Sequence, residues 1–596
     1  MNDFLYYYQK ELAYLKAHGK RFSDQYPKIA RRLGLTEGVT EDPHVERLIE
    51  SFALLTANIH QRLDEGMPDL EEAMLTMVAP QFLRPMPSAC IVSIDPDPAL
   101  SGISGKNLLA GGTTLYSRPI ENTICTFRTV YPLTLQPIAT TDANIYFDKK
   151  DNRWHLHLGF ESWAASSISN VTLRLYLNGP DNAINIIYAL LCSEVYSLTL
   201  ADGNHHSPLP DSHFQAVGFE HGEALMFHDP RIPSIHMLLQ EFFTFPQKFH
   251  FLDLKLPDAF SINGAQKFSI EIAFNHSHLN VYLDKIADII DHHFFQLNCT
   301  PVVNLFSSQA EPLTLSSSLA EYPVIPDIRK QDKISVWCID EVSLCCQYEN
   351  NVTITPILPL LGIARTRIAS DGNFYWQSFR RTGVDESRNN TFIAFSSCNS
   401  TPVKTASGVV SIKLTCTNDK LPHAIKNGNP DGDFDSDIPI AGLKIRALRC
   451  PTLPVEPPTG TSARWHLISQ MALNHLPMSG PDGAQILREM LELYNVRSAP
   501  AVTRLLSTIQ RLEVCPVVSR LTKNDPCSLA RGIAVTITFS PLALDYGEYY
   551  LLCCFLDRFI ALYAPVNSFT RVTTLIEHAE HTRRVWPLRA GRLVWL

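Results

Sequence analysis

Apolar positions recur every three or four residues through the first eighty-seven residues, and then switch to short alternating runs. Asp42 can cap a helix, because a carboxylate accepts from the free N–H groups of the first turn. Pro43 suits the first helical position. Val45, Leu48, Ile49, Phe52, Leu55, Ile59 and Leu63 follow on one face, with Glu46, Glu50, Asn58 and Gln61 opposite. This predicts a helix over 43–65, ended by Gly66 and Pro68 and packing on its own domain through the apolar stripe. A first helix is predicted over 3–25, where Leu5, Tyr8, Leu12, Leu15 and Phe22 recur and Tyr6, Tyr7 and Tyr14 widen the apolar side. A third covers 69–79 with Leu70, Met74, Met77 and Val78 inward, stopped by Pro80, Pro85 and Pro87.

From Ser88 to about Pro458 the pattern is that of strands. Trp154, Leu156, Leu158 and Phe160 alternate with His155, His157 and Gly159, the period of a half-buried strand. Cys90–Ile94, Thr123–Arg128, Val171–Leu177 and Ser269–Phe274 are further strands, separated by Gly, Pro, Asn and Asp as in sandwich or barrel domains. Helices interrupt at 182–192 and 234–243. Pro451, Pro454, Pro457 and Pro458 make a stiff connector. Beyond it, helices are predicted at 465–476, 482–494 and 548–563 and a strand over Ile533–Phe539. The predicted class is a multidomain α+β chain: an N-terminal helical module (1–87), two β-rich regions (88–235 and 236–455) and a mixed C-terminal region (456–596).

Composition narrows the function. With 51 basic and 60 acidic residues the net charge is −9, and no run of Lys and Arg marks a nucleic-acid footprint. The 14 cysteines include no Cys-x-x-Cys; Cys345-Cys346 and Cys553-Cys554 are neighbours, which rarely have disulfide geometry. They read as reduced thiols of a cytosolic protein. No stretch approaches the ~20 apolar residues of a spanning helix.

Candidate chemistry is sparse. Gly102-Ile-Ser-Gly105-Lys106 is too short for a phosphate loop, and neither Gly-x-Ser-x-Gly nor His-Glu-x-x-His occurs. Asp431, Asp433, Asp435 and Asp437 alternate like the start of a calcium loop, but Ser436 stands at its sixth position and Gly442 at its twelfth. Histidine pairs at 155/157, 205/206, 276/278, 292/293 and 578/581 each lack an obvious third ligand for zinc. The basic, aromatic tail, with Arg583, Arg584, Trp586, Arg589, Arg592 and Trp595, offers residue types that anchor interfaces, or a final strand over a domain edge.

Longer words point to a family. Tyr7-Tyr8-Gln9-Lys10-Glu11-Leu12-Ala13-Tyr14-Leu15, then Asp42 to Ala53, then Leu238-Leu239-Gln240-Glu241-Phe242-Phe243-Thr244-Phe245-Pro246-Gln247-Lys248-Phe249 resemble the TssF baseplate-subunit family of bacterial type VI secretion systems. Val303-Asn304-Leu305, Cys416-Thr417-Asn418, Leu473-Asn474-His475-Leu476 and Tyr563-Ala564-Pro565-Val566-Asn567-Ser568-Phe569 extend the resemblance to both ends. It implies a structural, non-enzymatic protein without a cofactor, at the inner face of the inner membrane. The implied partners are a companion wedge subunit, a trimeric adaptor and a second copy of the chain, with the spike hub and sheath-initiating subunit nearby. Within that reading, Tyr6, Tyr7, Tyr8 and Tyr14 are the candidate partner-binding residues of the first helix, and Trp586, Arg589 and Trp595 those of the tail. The competing reading is a β-sandwich hydrolase or metal-dependent enzyme.

Overall fold

The computed structural model describes residues 2–591 apart from 33–34, 37–38, 41–42, 65–67, 98–106, 164–167, 170, 203–204, 210–212, 227–233, 258–259, 263–264, 317–318, 349–350, 362–373, 383–388, 398–407, 439–441, 458–463, 466, 470–479, 481, 521–528, 542–545, 562–563 and 565–567. The chain forms two compact units, 1–77 with 458–469, and 78–457 with 470–596.

The smaller unit is built from helices Asn2–Gln25, Pro43–Asp64 and Pro68–Val78, joined by the returning 458–469 segment, whose Leu467 and Ile468 are buried. The first two helices pack on each other. The second meets its unit through the small side chains of Ala53 and Ala57, both fully buried, which allow close backbone approach. The predicted inward face is therefore corrected: Leu48, Phe52, Leu55 and Ile59 point outward. The third helix is also turned from its predicted orientation. It buries Glu71 and Leu75 and exposes Leu70 and Met77; Glu71 faces Arg464 and Trp465 of the returning segment.

The larger unit is organised around a closed six-stranded barrel, in the order Cys299–Val303, Ala89–Pro96, Leu443–Ala447, Phe434–Ser436, Thr114–Ser117 and Thr126–Thr129. Val92, Ile94, Leu115, Phe127, Val302, Phe434 and Ile445 fill it, and Phe127 meets Phe434 edge to face at 5.2 Å. The strand predicted at 123–128 begins only at Thr126. Glu121 and Asn122 both have positive φ, and Ile120 and Thr123 close that turn, the geometry of a hairpin turn rather than a strand.

Three further sheets surround the barrel strands in sequence. His205–Pro208, Val195–Asp202, Ala265–Phe274, Arg153–Trp163 and Ile138–Asp148 form one antiparallel sheet, which runs across residue 235. Phe214–Ala216, Phe251–Lys255, Thr172–Leu177 and Phe295–Gln296 form a second. The third has eight strands between Phe306 and Thr417, with Gly408–Thr417 and Ser335–Tyr348 at its heart. The proline-rich exit from the helices is pinned to this unit: Met86 and Val455 exchange both backbone hydrogen bonds, at 2.8 and 2.9 Å, and Trp337 Nε1 donates to the Pro85 carbonyl at 2.8 Å.

The C-terminal part is a sheet of Ile509–Arg520, Leu529–Phe539, Phe569–Ile576 and Ala579–Val585, with Arg589–Ala590 beside Phe569–Ile576. Its one parallel pair, Leu529–Phe539 with Phe569–Ile576, is bridged by helix Tyr546–Ala561, as parallel strands require a crossover. That helix packs on helices Asp181–Ser193 and Ser234–Thr244. Phe555 meets Phe219, Phe242 and Phe249 with ring centroids 4.4–5.0 Å apart, an aromatic layer between this helix and the β-rich region of the same unit.

Candidate interaction site

The outward stripe of helix Pro43–Asp64 is the most distinctive surface. Leu48, Phe52, Leu55 and Ile59 follow at spacings of four, three and four, and are 70 %, 56 %, 61 % and 58 % exposed. One helical ridge of four large apolar side chains in water is a surface that marks protein–protein contact. On helix Asn2–Gln25, Tyr7 and Tyr8 are half-buried, and Tyr14 is exposed with its ring 4.3 Å from that of His18. The side chain of Tyr6 lies outside the described residues. Glu11 is buried, and Lys16 lies 3.5 Å from Glu46 across the helix pair.

In the tail, the candidates Trp586 and Arg589 have internal partners. Trp586 is buried, its Nε1 donates to Thr574 Oγ1 at 3.1 Å, and its ring lies 5.6 Å from Tyr550. Arg589 pairs with the buried Asp557, whose carboxyl is raised by burial while Arg589 acts against that rise. Trp595 lies outside the described residues. The described strands after Ala579 complete the C-terminal sheet.

The metal candidates resolve differently. Asp433 is buried and accepts from the backbone N–H groups of Gly428 (3.2 Å), Asn429 (3.0 Å) and Ala447 (2.9 Å). Its carboxylate organises the turn before the barrel strand instead of facing outward for an ion. Asp437 accepts from Tyr116 Oη at 3.0 Å. His157 Nδ1 lies 2.6 Å from Glu271 and His155 Nε2 2.8 Å from Asp151. Asp148, Asp151 and His155, and separately Asp291, His292 and His293, bring three ligand-type atoms within 4.8 Å of one another. The latter three are exposed, and ordinary solvated groups adopt such arrangements too. The described cysteines are free thiols, among them the buried Cys553 and Cys554.

Three of the family words, those holding Glu241 with Lys248, Asn304 and Asn418, supply internal joints. Glu241 and Lys248 form an ion pair that is wholly buried. Glu241 Oε1 also accepts from the Leu225 N–H at 2.8 Å, and Arg128 Nη2 donates to the Leu225 carbonyl at 2.8 Å. Burial pulls the Lys248 ammonium down, against the attraction of Glu241, and the Arg128 guanidinium down to about 10. Tyr131 Oη donates to the Lys248 carbonyl at 2.8 Å, beside Gly218, where φ is +103° and a Cβ would fall 2.7 Å from the Tyr131 Oη. Asn304 and Asn418, from two separate words, meet: Asn304 Nδ2 donates to Asn418 Oδ1 at 2.9 Å and the Asn418 N–H to Asn304 Oδ1 at 2.6 Å. No sequence motif marked this joint: Asn304 stands alone in the apolar run Val302-Val303-Asn304-Leu305, whereas Asn418 sits between Thr417 and Asp419.

Rigid β domains around buried polar joints, with an apolar helical ridge left in water, define a multidomain assembly protein. The family description "Type VI secretion system, TssF" matches residues 1–593, and the chain belongs to that family. The TssF1 component of the Pseudomonas aeruginosa type VI secretion system is 27% identical over 598 residues, covering 95% of each chain. Two solved structures share the fold. One is a chain of a TssK-TssF-TssG baseplate subcomplex from a type VI secretion system, with a TM-score of 0.75 and 24% identity, covering 92% of this chain and 99% of that one. The other, from a type VI secretion baseplate complex, has a TM-score of 0.62 and 23% identity, covering 99% and 100%.

Proposed function

We propose that this chain is a structural subunit of a type VI secretion baseplate wedge, with no catalytic step of its own. In this reading it assembles with a companion wedge subunit, a trimeric adaptor and a second copy of itself. Together they surround the spike hub and form the platform from which the contractile sheath and inner tube grow. It works at the inner face of the inner membrane through the apparatus; no described helix is long and apolar enough to cross a membrane.

The observation that carries the reading is the ridge Leu48, Phe52, Leu55 and Ile59, exposed on a helix whose other side is already packed. Burying such side chains on association releases about 1.5–3 kcal/mol each for those fully covered. Membership of the TssF family, and the solved assemblies in which chains of this fold occur, supply the kind of partner. Tyr7, Tyr8 and Tyr14 belong to the same helical unit and are proposed to share the interface. Tyr6 and Trp595 are proposed from their sequence alone. Trp586 and Arg589 act from within the tail sheet in this proposal, by holding its outer surface in place. The test is co-expression with the companion subunit and the adaptor, followed by the mass of what co-purifies. A complex with two copies of this chain per companion is expected; a partner-free monomer refutes the reading.

A further inference from the structure

We propose that the cleft between the Ile138–Asp148 and Arg153–Trp163 hairpin and the C-terminal strand Ala579–Val585 is a docking site for an acidic, aromatic-containing peptide segment of a partner chain. The cleft has a volume of about 830 Å³, inside the range of ~300–1,000 Å³ typical of ligand pockets. It is an open trough, which suits an extended segment threading past.

Its chemistry is one-sided. Arg583 and Arg584 line one wall and His276 and His278 another; Glu194 is the lone carboxylate among the described lining residues. Burial raises the Glu194 carboxyl, with Arg584 and Ser193 acting against that rise. In a chain of net charge −9 such a basic trough runs against the general surface, and charge complementarity selects an anionic occupant. Among the described residues, neither guanidinium has a carboxylate within ion-pairing distance. Arg584 is instead laid over the rings of Tyr550 and Trp586, 4.7 and 5.1 Å from their centroids. A guanidinium held beside aromatic rings keeps its charge, and Arg is the side chain that can read a carboxylate bidentately. Trp154, Phe147 and Tyr549 supply aromatic wall, which favours an occupant with a ring of its own over a bare inorganic anion.

This inference rests on the assembly reading, so its test carries a control for that reading. The full chain is co-expressed with the companion subunit and the adaptor, carrying the photo-crosslinker benzoylphenylalanine in place of His276, and in a separate sample in place of Leu55. The expected result is a His276-site crosslink to a segment of another chain rich in Asp and Glu and containing an aromatic residue. Arg583→Glu is expected to reduce that crosslink at least fivefold and Arg583→Lys less than twofold, with the melting temperature unchanged for both, since Arg583 is exposed. A crosslink from Leu55 with none from His276 overturns the proposal. So does a His276 crosslink to a neutral or basic segment, to lipid or to nucleic acid. Silence at both positions overturns the assembly reading and this proposal with it.

Discussion

Single residues show where the chain spends its polar groups. Glu241 and Lys248 are fully buried together, and such a pair tolerates the loss of neither partner. Glu241→Gln strands the ammonium and is expected to cost about 3–5 kcal/mol in urea unfolding. Because the stranded lysine has its pKa depressed in the folded chain, the unfolded chain binds the proton more readily below the ordinary lysine range. The penalty is therefore expected to shrink as pH rises toward that range. His250 gives a second pH signature. It is fully buried, and burial holds its pKa at about 4. With the folded value below the ordinary 6.5, the unfolded chain protonates first as pH falls. Its contribution is then intact above about 6.5 and declines by about 1.4 kcal/mol per pH unit down to about 4. His250→Asn is expected to lose that part of the slope, as measured by urea midpoints at a series of pH values.

At the scale of elements, existence was legible and orientation was not. Helices Asn2–Gln25, Pro43–Asp64, Asp181–Ser193, Ser234–Thr244 and Tyr546–Ala561 lie within a few residues of their sequence-predicted spans, because helical spacing is a local signal. Which stripe faces inward depends on what packs there. Ala53 and Ala57 carry no strong hydropathy signal, yet they are the buried contacts, while the larger stripe beside them faces solvent. This inversion has a testable asymmetry. Ala57→Leu overpacks the helix pair and is expected to destabilise the isolated chain by about 1–3 kcal/mol. Leu48→Ala with Leu55→Ala is expected to leave the chain's thermal stability within about 0.5 kcal/mol, yet to strip the companion subunit in co-purification. Tyr7→Ala with Tyr14→Ala is expected to weaken the same association. A double variant that both folds and co-purifies normally removes the ridge from the interface.

For the whole molecule, the β-rich class was legible from alternation and turn residues, whereas the closure of the barrel was not. Its strands come from 89–129, 299–303 and 434–447, and no local pattern records pairings so far apart. The tail sheet likewise depends on pairs such as Trp586 with Thr574. The helical unit is discontinuous as well, since 458–469 returns to it. Leu467→Ala is thus expected to loosen residues far from it in sequence. Limited proteolysis should cut helices Asn2–Gln25 and Pro43–Asp64 faster while leaving the β region intact; equal cleavage everywhere would contradict the return of that segment.

The barrel's far-flung strands set a timetable for synthesis. Ala89–Pro96 leaves the ribosome long before its neighbour Leu443–Ala447 exists. At ~5–20 residues per second, the first barrel strand waits on the order of 20–70 s for the last. The N-terminal helices wait longer still for Leu467 and Ile468. Nascent chains stalled before residue 434 therefore hold open strand edges and uncovered apolar helices, the state in which a holding chaperone has most to grip. Closure of both units therefore waits on the same forty or so residues, which carry the last barrel strands and the segment that returns to the helices.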